Sequence, residues 1–243
     1  MSRLVLFIDD GGVMNDNERR SLQWQRLVGE FFAPRLGGTP EAWAAANYAV
    51  MMRMLETAAW QARMEAVPDY AEFDRLYLRD WLQGMCEIVG VPAPPEEEGL
   101  ALARQITAAI PPQIDSAYPG AVDAIRALHA RGHRLHTASG ESSADLEGYL
   151  TGMGVRDCFG TLYGTDVVST LKMGTQFYTR IFAHAGIAPE QALVADDNPQ
   201  TLVWAAQVGA QAVLVRAAGE AGSWTGPRID RLADLPDWLA HQG

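Results

Sequence analysis

From about residue 114 onward, short apolar runs alternate with amphipathic stretches, and this alternation constrains the fold more than any other feature of the chain. Leu135 to Ala138, Thr161 to Tyr163, Ala192 to Ala195 and Ala212 to Val215 are short, apolar runs of the kind found in strands buried on both faces. Between them, Ala121 to Ala130, Ser143 to Met153, Gln176 to Ala185 and Thr201 to Val208 read as helices. Alternating strands and helices predict a doubly wound parallel sheet with helices on both faces. One further run, Arg3 to Ile8, stands alone near the N-terminus and must join that sheet. From Asp16 to Ile110 the pattern is helical, with no convincing strand. The expected architecture is therefore an α/β core, residues 1–15 and 114–243, with an all-α domain, residues 16–113, inserted after the first strand. Within the insert, the stripes Tyr48, Met51, Met52, Leu55, Ala59 and Phe73, Leu76, Tyr77, Trp81, Leu82 predict three or four antiparallel helices. Pro34, Gly37-Gly38-Thr39-Pro40 and Pro68 punctuate them, and Met51, Met52, Met54 and Trp60 read as insert core.

Composition removes several function classes. At 243 residues, 48% apolar and 20% charged, the chain can bury a real core and has no signature of disorder or coiled coil. The net charge of −11 repels a phosphate backbone, so nucleic acid is not an expected partner. No apolar run approaches the ~18 residues of a membrane span. The first residues lack a signal-peptide pattern, and Cys86 and Cys158 supply no disulfide framework, so a reducing cytoplasm is the expected compartment. Among 19 basic residues one is lysine, Lys172, a compact point charge where the rest are planar forks.

Ligands of open α/β sheets bind beyond the carboxyl ends of the strands. Asp9 and Asp10 follow the first strand, Ser139 and Gly140 the second, and Asp196 and Asp197 the run at Ala192. Lys172 precedes the helix at Gln176. Clustered carboxylates repel unless a cation lies among them, and an all-oxygen donor set suits Mg²⁺ rather than zinc. A lysine and a hydroxyl beside such a metal describe a phosphate site. His129, His133 and His136 read as helix-end and strand residues; the helical run ends at Ala130, so His129 and His133 do not share a helix as a zinc pair would, and all three are read as structural.

This ordered set resembles the haloacid dehalogenase (HAD) superfamily, mostly phosphatases and phosphotransferases, over nearly the whole chain. LVLFIDDGGVMND looks like the first motif, TASG like the second, LKMGTQFYTRIF like the third, and ALVADDNPQTLVWAAQVGAQAVLV like the fourth. The resemblance implies a Rossmann-like core with a helical cap, and a Mg²⁺-dependent hydrolase acting on a small phosphorylated metabolite. It implies Asp9 as a nucleophile that becomes phosphoaspartate. Ser139, with Gly140 beside it, and Lys172 would bind the phosphoryl group, Lys172 also neutralising the nucleophile. Asp9, the carbonyl of Gly11, Asp197 and Asp196 would hold the metal.

One position departs. The family's second aspartate, two residues after the nucleophile, is Gly11 here. Glycine can offer a carbonyl but no acid/base, and general acid–base catalysis contributes about 10²–10⁴-fold. Asp10, Asp16, a residue of the insert or the substrate itself would have to replace that aspartate, although strand alternation turns Asp10 away from Asp9 and Asp16 lies further on. A positive φ would be one reason for glycine at position 11. Two readings compete with the phosphatase: a degenerate member that binds phosphate or a partner with little turnover, and a metal-free carbon–halogen hydrolase. The Asp196-Asp197 pair argues against the second. Phosphonate hydrolysis through a cap Schiff base is disfavoured, because the insert contains no lysine.

Overall fold

The computed structural model describes residues 4–54, 56–216 and 224–241. Six strands, β1 (Val5–Ile8), β2 (Arg134–Ala138), β3 (Phe159–Tyr163), β4 (Ala192–Asp196), β5 (Gln211–Val215) and β6 (Arg228–Ile229), form one parallel sheet in the order β3-β2-β1-β4-β5-β6. Among the described residues of the insert there are five helices: α1 (Asn17–Leu36), α2 (Pro40–Met54), α3 (Thr57–Glu65), α4 (Tyr70–Val89) and α5 (Glu96–Ala109). Five more belong to the sheet's own unit: α6 (Ala121–Ala130), α7 (Ser143–Gly152), α8 (Thr175–Ala185), α9 (Pro199–Val208) and α10 (Leu235–Ala240). The chain divides into two compact units, Met1–Asn17 with Asp115–Gly243, and Glu18–Ile114. Among the described residues no helix is long and apolar enough to cross a membrane.

Strand alternation sorts the core side chains. Leu6 and Ile8 join Leu135, Leu193 and Val213 on one face, under Ile125, Leu128 and Leu146. Val5 and Phe7 join Val194 and Leu214 on the other, under Phe177, Tyr178, Ile181 and Phe182. Each such side chain withdrawn from water contributes about 1.5–3 kcal/mol, which holds the strands in one register. The chain lays β2 and β3 to one side of β1 and then crosses to place β4 on the other. That reversal opens a crevice at the carboxyl ends of β1 and β4.

On α4 the expected stripe is buried at Phe73, Trp81 and Leu82, but the stripe expected on α2 departs. On α2 the buried residues are Trp43, Ala46, Asn47, Val50 and Met54, whereas Tyr48 and Met52 are exposed. α2 ends at Met54 and α3 begins at Thr57, so a stripe running on to Ala59 crosses a helix break. α2 is apolar on nearly every side, and its composition therefore does not reveal which face is covered. The face is chosen by Phe32, whose ring lies 5.0 Å from Trp43 and 5.9 Å from Trp81, and by Trp81, whose indole donates to Asn47 Oδ1 at 2.8 Å. β6 and α10 are too short to show a period in the sequence. Arg3 and Leu55 lie outside the described residues.

His136 is a structural residue with a pH consequence. It lies in β2, stacks on Phe7, and accepts a hydrogen bond at Nδ1 from the Thr161 amide at 3.0 Å. Burial holds its pKa below the ordinary value, the Thr161 contact opposes this, and Arg134 adds to the lowering. The unfolded chain therefore binds this proton more readily than the folded one. The stability it contributes is present above about pH 6.5 and is lost as pH falls through the folded pKa. His136→Gln is expected to reduce the loss of the urea midpoint between pH 7.5 and 5.5. An equal loss in both proteins would contradict the assignment.

Candidate active site

β1 is hydrogen-bonded to both β2 and β4, with Ile8 opposite Thr137 on one side and Ala195 on the other. One residue further on, Asp9 is therefore level with Ala138 and Asp196. Its amide donates to Ala195 O at 2.9 Å. The alternation that sends Phe7 and Val194 to one face sends Asp9 and Asp196 to the same face. Lys172 meets them there: its Nζ lies 2.9 Å from Asp9 Oδ1 and 2.6 Å from Asp196 Oδ2. Carboxylate oxygens of Asp9, Asp196 and Asp197 all lie within 4.8 Å of one another.

The electrostatics follow from burial. The Asp9 carboxyl is pushed up to about 7, chiefly by loss of solvent. Lys172 pulls it back, and Asp196 and Asp197 push it further up. Asp197 is raised by burial and then by Asp196. Burial alone would lower Lys172, but Asp196 and Asp9 more than reverse this and hold it well above the ordinary lysine value. Three carboxylates share one ammonium. The oxygen donors are close enough to hold a hard divalent cation, whose charge would relieve the surplus.

The turn after β1 shapes the site through its backbone. Asp10 O accepts from the amides of Val13, Met14 and Asn15 at 3.3, 2.8 and 2.9 Å, and Gly12 N donates to Asn15 O at 2.8 Å. The positive φ of this turn, 85°, falls at Gly12 rather than at Gly11. Gly11 is instead bridged to Asn15. A Cβ on Gly12 would lie 2.2 Å from Asp197 Oδ2, so this glycine makes room for the carboxylate. Asp10 is fully buried on the opposite face; its Oδ1 accepts from Asn15 Nδ2 at 2.7 Å, and Asn15 Oδ1 accepts from Ser116 Oγ at 2.9 Å. Asp10 is thus a structural acceptor rather than a stand-in acid.

Ser139 follows β2 and is 2% exposed. Its Oγ accepts from the Glu141 amide at 3.3 Å, which leaves the hydroxyl hydrogen for another acceptor. Gly140 is exposed, and a Cβ there would meet nothing within 4 Å, so its backbone is open to an approaching anion. Asp196 Oδ1 accepts from Asn198 N at 2.8 Å, and Asn198 caps α9 through the Gln200 amide. The start of α9 thus lies next to the acidic pair, and a helix N-terminus favours negative charge. Tyr178 was not singled out as a site residue from the sequence. It is fully buried on α8 and interacts electrostatically with Lys172, Asp196 and Asp9, and burial holds its hydroxyl protonated. Its signal is its place in LKMGTQFYTRIF, six residues beyond Lys172.

A parallel sheet with a lysine-bridged carboxylate cluster at its switch point defines a class of hydrolases. The chain belongs to one such family, the haloacid dehalogenase-like hydrolases, whose model matches residues 27–209. A phosphoglycolate phosphatase of Rhodospirillum rubrum is 28% identical over 128 residues, 51% of this chain and 53% of that protein. The match spans about half the length of that relative. Among solved structures, the 2-haloacid dehalogenase from Pseudomonas syringae pv. Tomato is 15% identical, with 99% of this chain and 100% of that chain covered and a TM-score of 0.68. The L-2-haloacid dehalogenase from Xanthobacter autotrophicus is also 15% identical, with 99% and 100% covered and a TM-score of 0.65. At such identity these two establish the fold alone.

Proposed function

We propose that this hydrolase cleaves a small phosphate monoester with Mg²⁺, using Asp9 as nucleophile and the helical unit as its cap. The observation that carries this reading is the convergence of Asp9, Asp196 and Asp197 within 4.8 Å around a single ammonium. A metal-free displacement of halide would leave these carboxylates, two buried and one half-buried, with one ammonium to balance them. The phosphatase among the curated relatives supports the same reading. Asp9, Asp196, Asp197 and the Gly11 carbonyl would hold Mg²⁺, which when bound neutralises phosphoryl oxygens and carboxylates. Ser139 donates to a phosphoryl oxygen, and the bare Gly140 backbone leaves room for it. Lys172 lowers the cost of ionising Asp9 and balances the incoming charge. An Asp9 oxygen attacks phosphorus, the bond from phosphorus to the leaving oxygen breaks, and water later releases inorganic phosphate and regenerates the carboxylate.

Gly11 favours a slow variant of this cycle. With no side chain at position 11, and Asp10 committed to Asn15, neither can protonate the leaving group or activate water. p-Nitrophenolate leaves without a proton, so p-nitrophenyl phosphate is expected to give a burst near one equivalent and then slow turnover. An alkyl phosphate should react much more slowly. Gly11→Asp should raise the steady-state rate, because the positive φ of the turn belongs to its neighbour. Efficient alkyl phosphate hydrolysis without a burst would overturn the slow cycle. Chloride release from 2-chloropropionate, with no phosphate release in Mg²⁺, would overturn the phosphatase reading.

A further inference from the structure

Lys172 stands on a segment, residues 164–174, that has neither helix nor strand, yet its ammonium is aimed at two buried carboxylates. Something must hold such a segment still. At its near end Asp166 accepts from the Ser143 amide at 2.8 Å and from the Ser143 hydroxyl, tying the segment to the start of α7. In its middle, Ser169 has φ 47°, the left-handed region that a residue with a Cβ seldom adopts. Such a conformation persists where its surroundings over-determine it. The surroundings here include Arg180 on α8. Its Nη1 donates to Val168 O at 2.8 Å and to Ser169 O at 2.7 Å, the carbonyls on either side of the left-handed residue. Gripping both fixes the orientation of both peptide planes, and Lys172 follows three residues later.

We propose that Arg180 is a positioning residue for Lys172: by bridging the Val168 and Ser169 carbonyls it holds the left-handed turn that aims the lysine at Asp9 and Asp196. The proposal rests on the reading of Lys172 as a working part of the site, but its geometry can be tested without any assumed substrate. Lys172 is the chain's single lysine and its side chain is 9% exposed, so its acylation reports directly on where it points.

The experiment follows acylation of Lys172 by an N-hydroxysuccinimide ester, read by peptide mass spectrometry, beside the thermal midpoint of each protein. Arg180→Met removes both charge-assisted hydrogen bonds and is expected to speed acylation by about tenfold or more. Arg180→Lys, a point charge in place of a fork, should fall between it and the wild type, and keeps the test available if Arg180→Met fails to fold. Adding Ser169→Gly to Arg180→Met should recover protection, because glycine adopts the left-handed conformation without a steric penalty. In parallel, kcat on p-nitrophenyl phosphate should fall and recover with protection while KM changes little. Acylation at the wild-type rate in Arg180→Met, no recovery with Ser169→Gly, or rates that simply follow the thermal midpoint would each overturn the proposal. If protection behaves as stated but the wild type neither releases p-nitrophenolate nor responds to Mg²⁺, the functional reading fails while the positioning role stands.

Discussion

Lys172→Met is expected to lose about 3–5 kcal/mol of folding stability at pH 8, because removing one partner of a buried ion pair leaves the other charges uncompensated. The partners are Asp9 at 2.9 Å and Asp196 at 2.6 Å, with Asp197 close by. The loss should shrink toward pH 5.5. Lys172 is held above its ordinary value of 10.5, so its contribution is fully present throughout this range and lost only at far higher pH. The pH dependence of the variant must then come from the carboxylates. Asp9 already sits near 7 with the ammonium in place, and without it a proton binds at higher pH still and removes one of the charges. Mg²⁺ should restore part of the stability at pH 8. Urea denaturation at the two pH values, with and without Mg²⁺, measures this. A loss that is the same at both, or larger at pH 5.5, would show that the lysine is not balancing the carboxylates. Activity should disappear in this variant.

Asp9→Asn is expected to abolish turnover and yet leave the metal-free protein as stable as the wild type, or more so, at pH 8. A folded-state value near 7 against 3.8 means that the site as a whole opposes the ionised form despite Lys172. The sign follows. A raised carboxyl contributes stability that is fully present below 3.8 and is lost as pH rises through about 7. Asparagine carries no such loss. The variant's thermal midpoint should therefore gain on the wild type between pH 5 and pH 8. Mg²⁺ should reverse the order, because a ligand that binds only the folded state stabilises it, by about 2.7 kcal/mol at a hundredfold excess over Kd. Asp9→Asn should forfeit most of that gain. Parallel midpoints across pH would contradict the burial argument, and an undiminished Mg²⁺ shift would place the metal elsewhere.

The core was legible because both of its periods are local. The runs at Ile8, Ala138 and Ala195 end in Asp9, Ser139 and Asp196, and a parallel sheet collects strand ends on one rim whatever the strand order. The departure at Gly11 was equally visible, since it is a matter of which side chain is present. The insert was less legible. A stripe on α2 could be drawn through Tyr48 and Met52 as well as through Trp43 and Val50, and the count of three or four helices missed the break between α2 and α3. A helix that is apolar on most sides carries little information about which side its neighbour covers.

The sequence by itself determined the class of fold and the rim to which the strand ends bring Asp9, Ser139 and Asp196, together with the identity of the single lysine. These depend on residue type and on spacing along the chain, and a linear pattern contains both. Tertiary structure alone decided the rest. It put β4 beside β1, which makes Asp9 and Asp196 neighbours although 187 positions separate them, and it brought Lys172 between them. It assigned the left-handed φ to Gly12 and pressed that glycine against Asp197. It also committed Asp10 to Asn15 on the far face of the sheet. The physical reason is the same in each case: whether a carboxylate is a ligand, a nucleophile or a buried acceptor depends on the solvent it loses and the charges it meets, and both are set by residues distant in sequence.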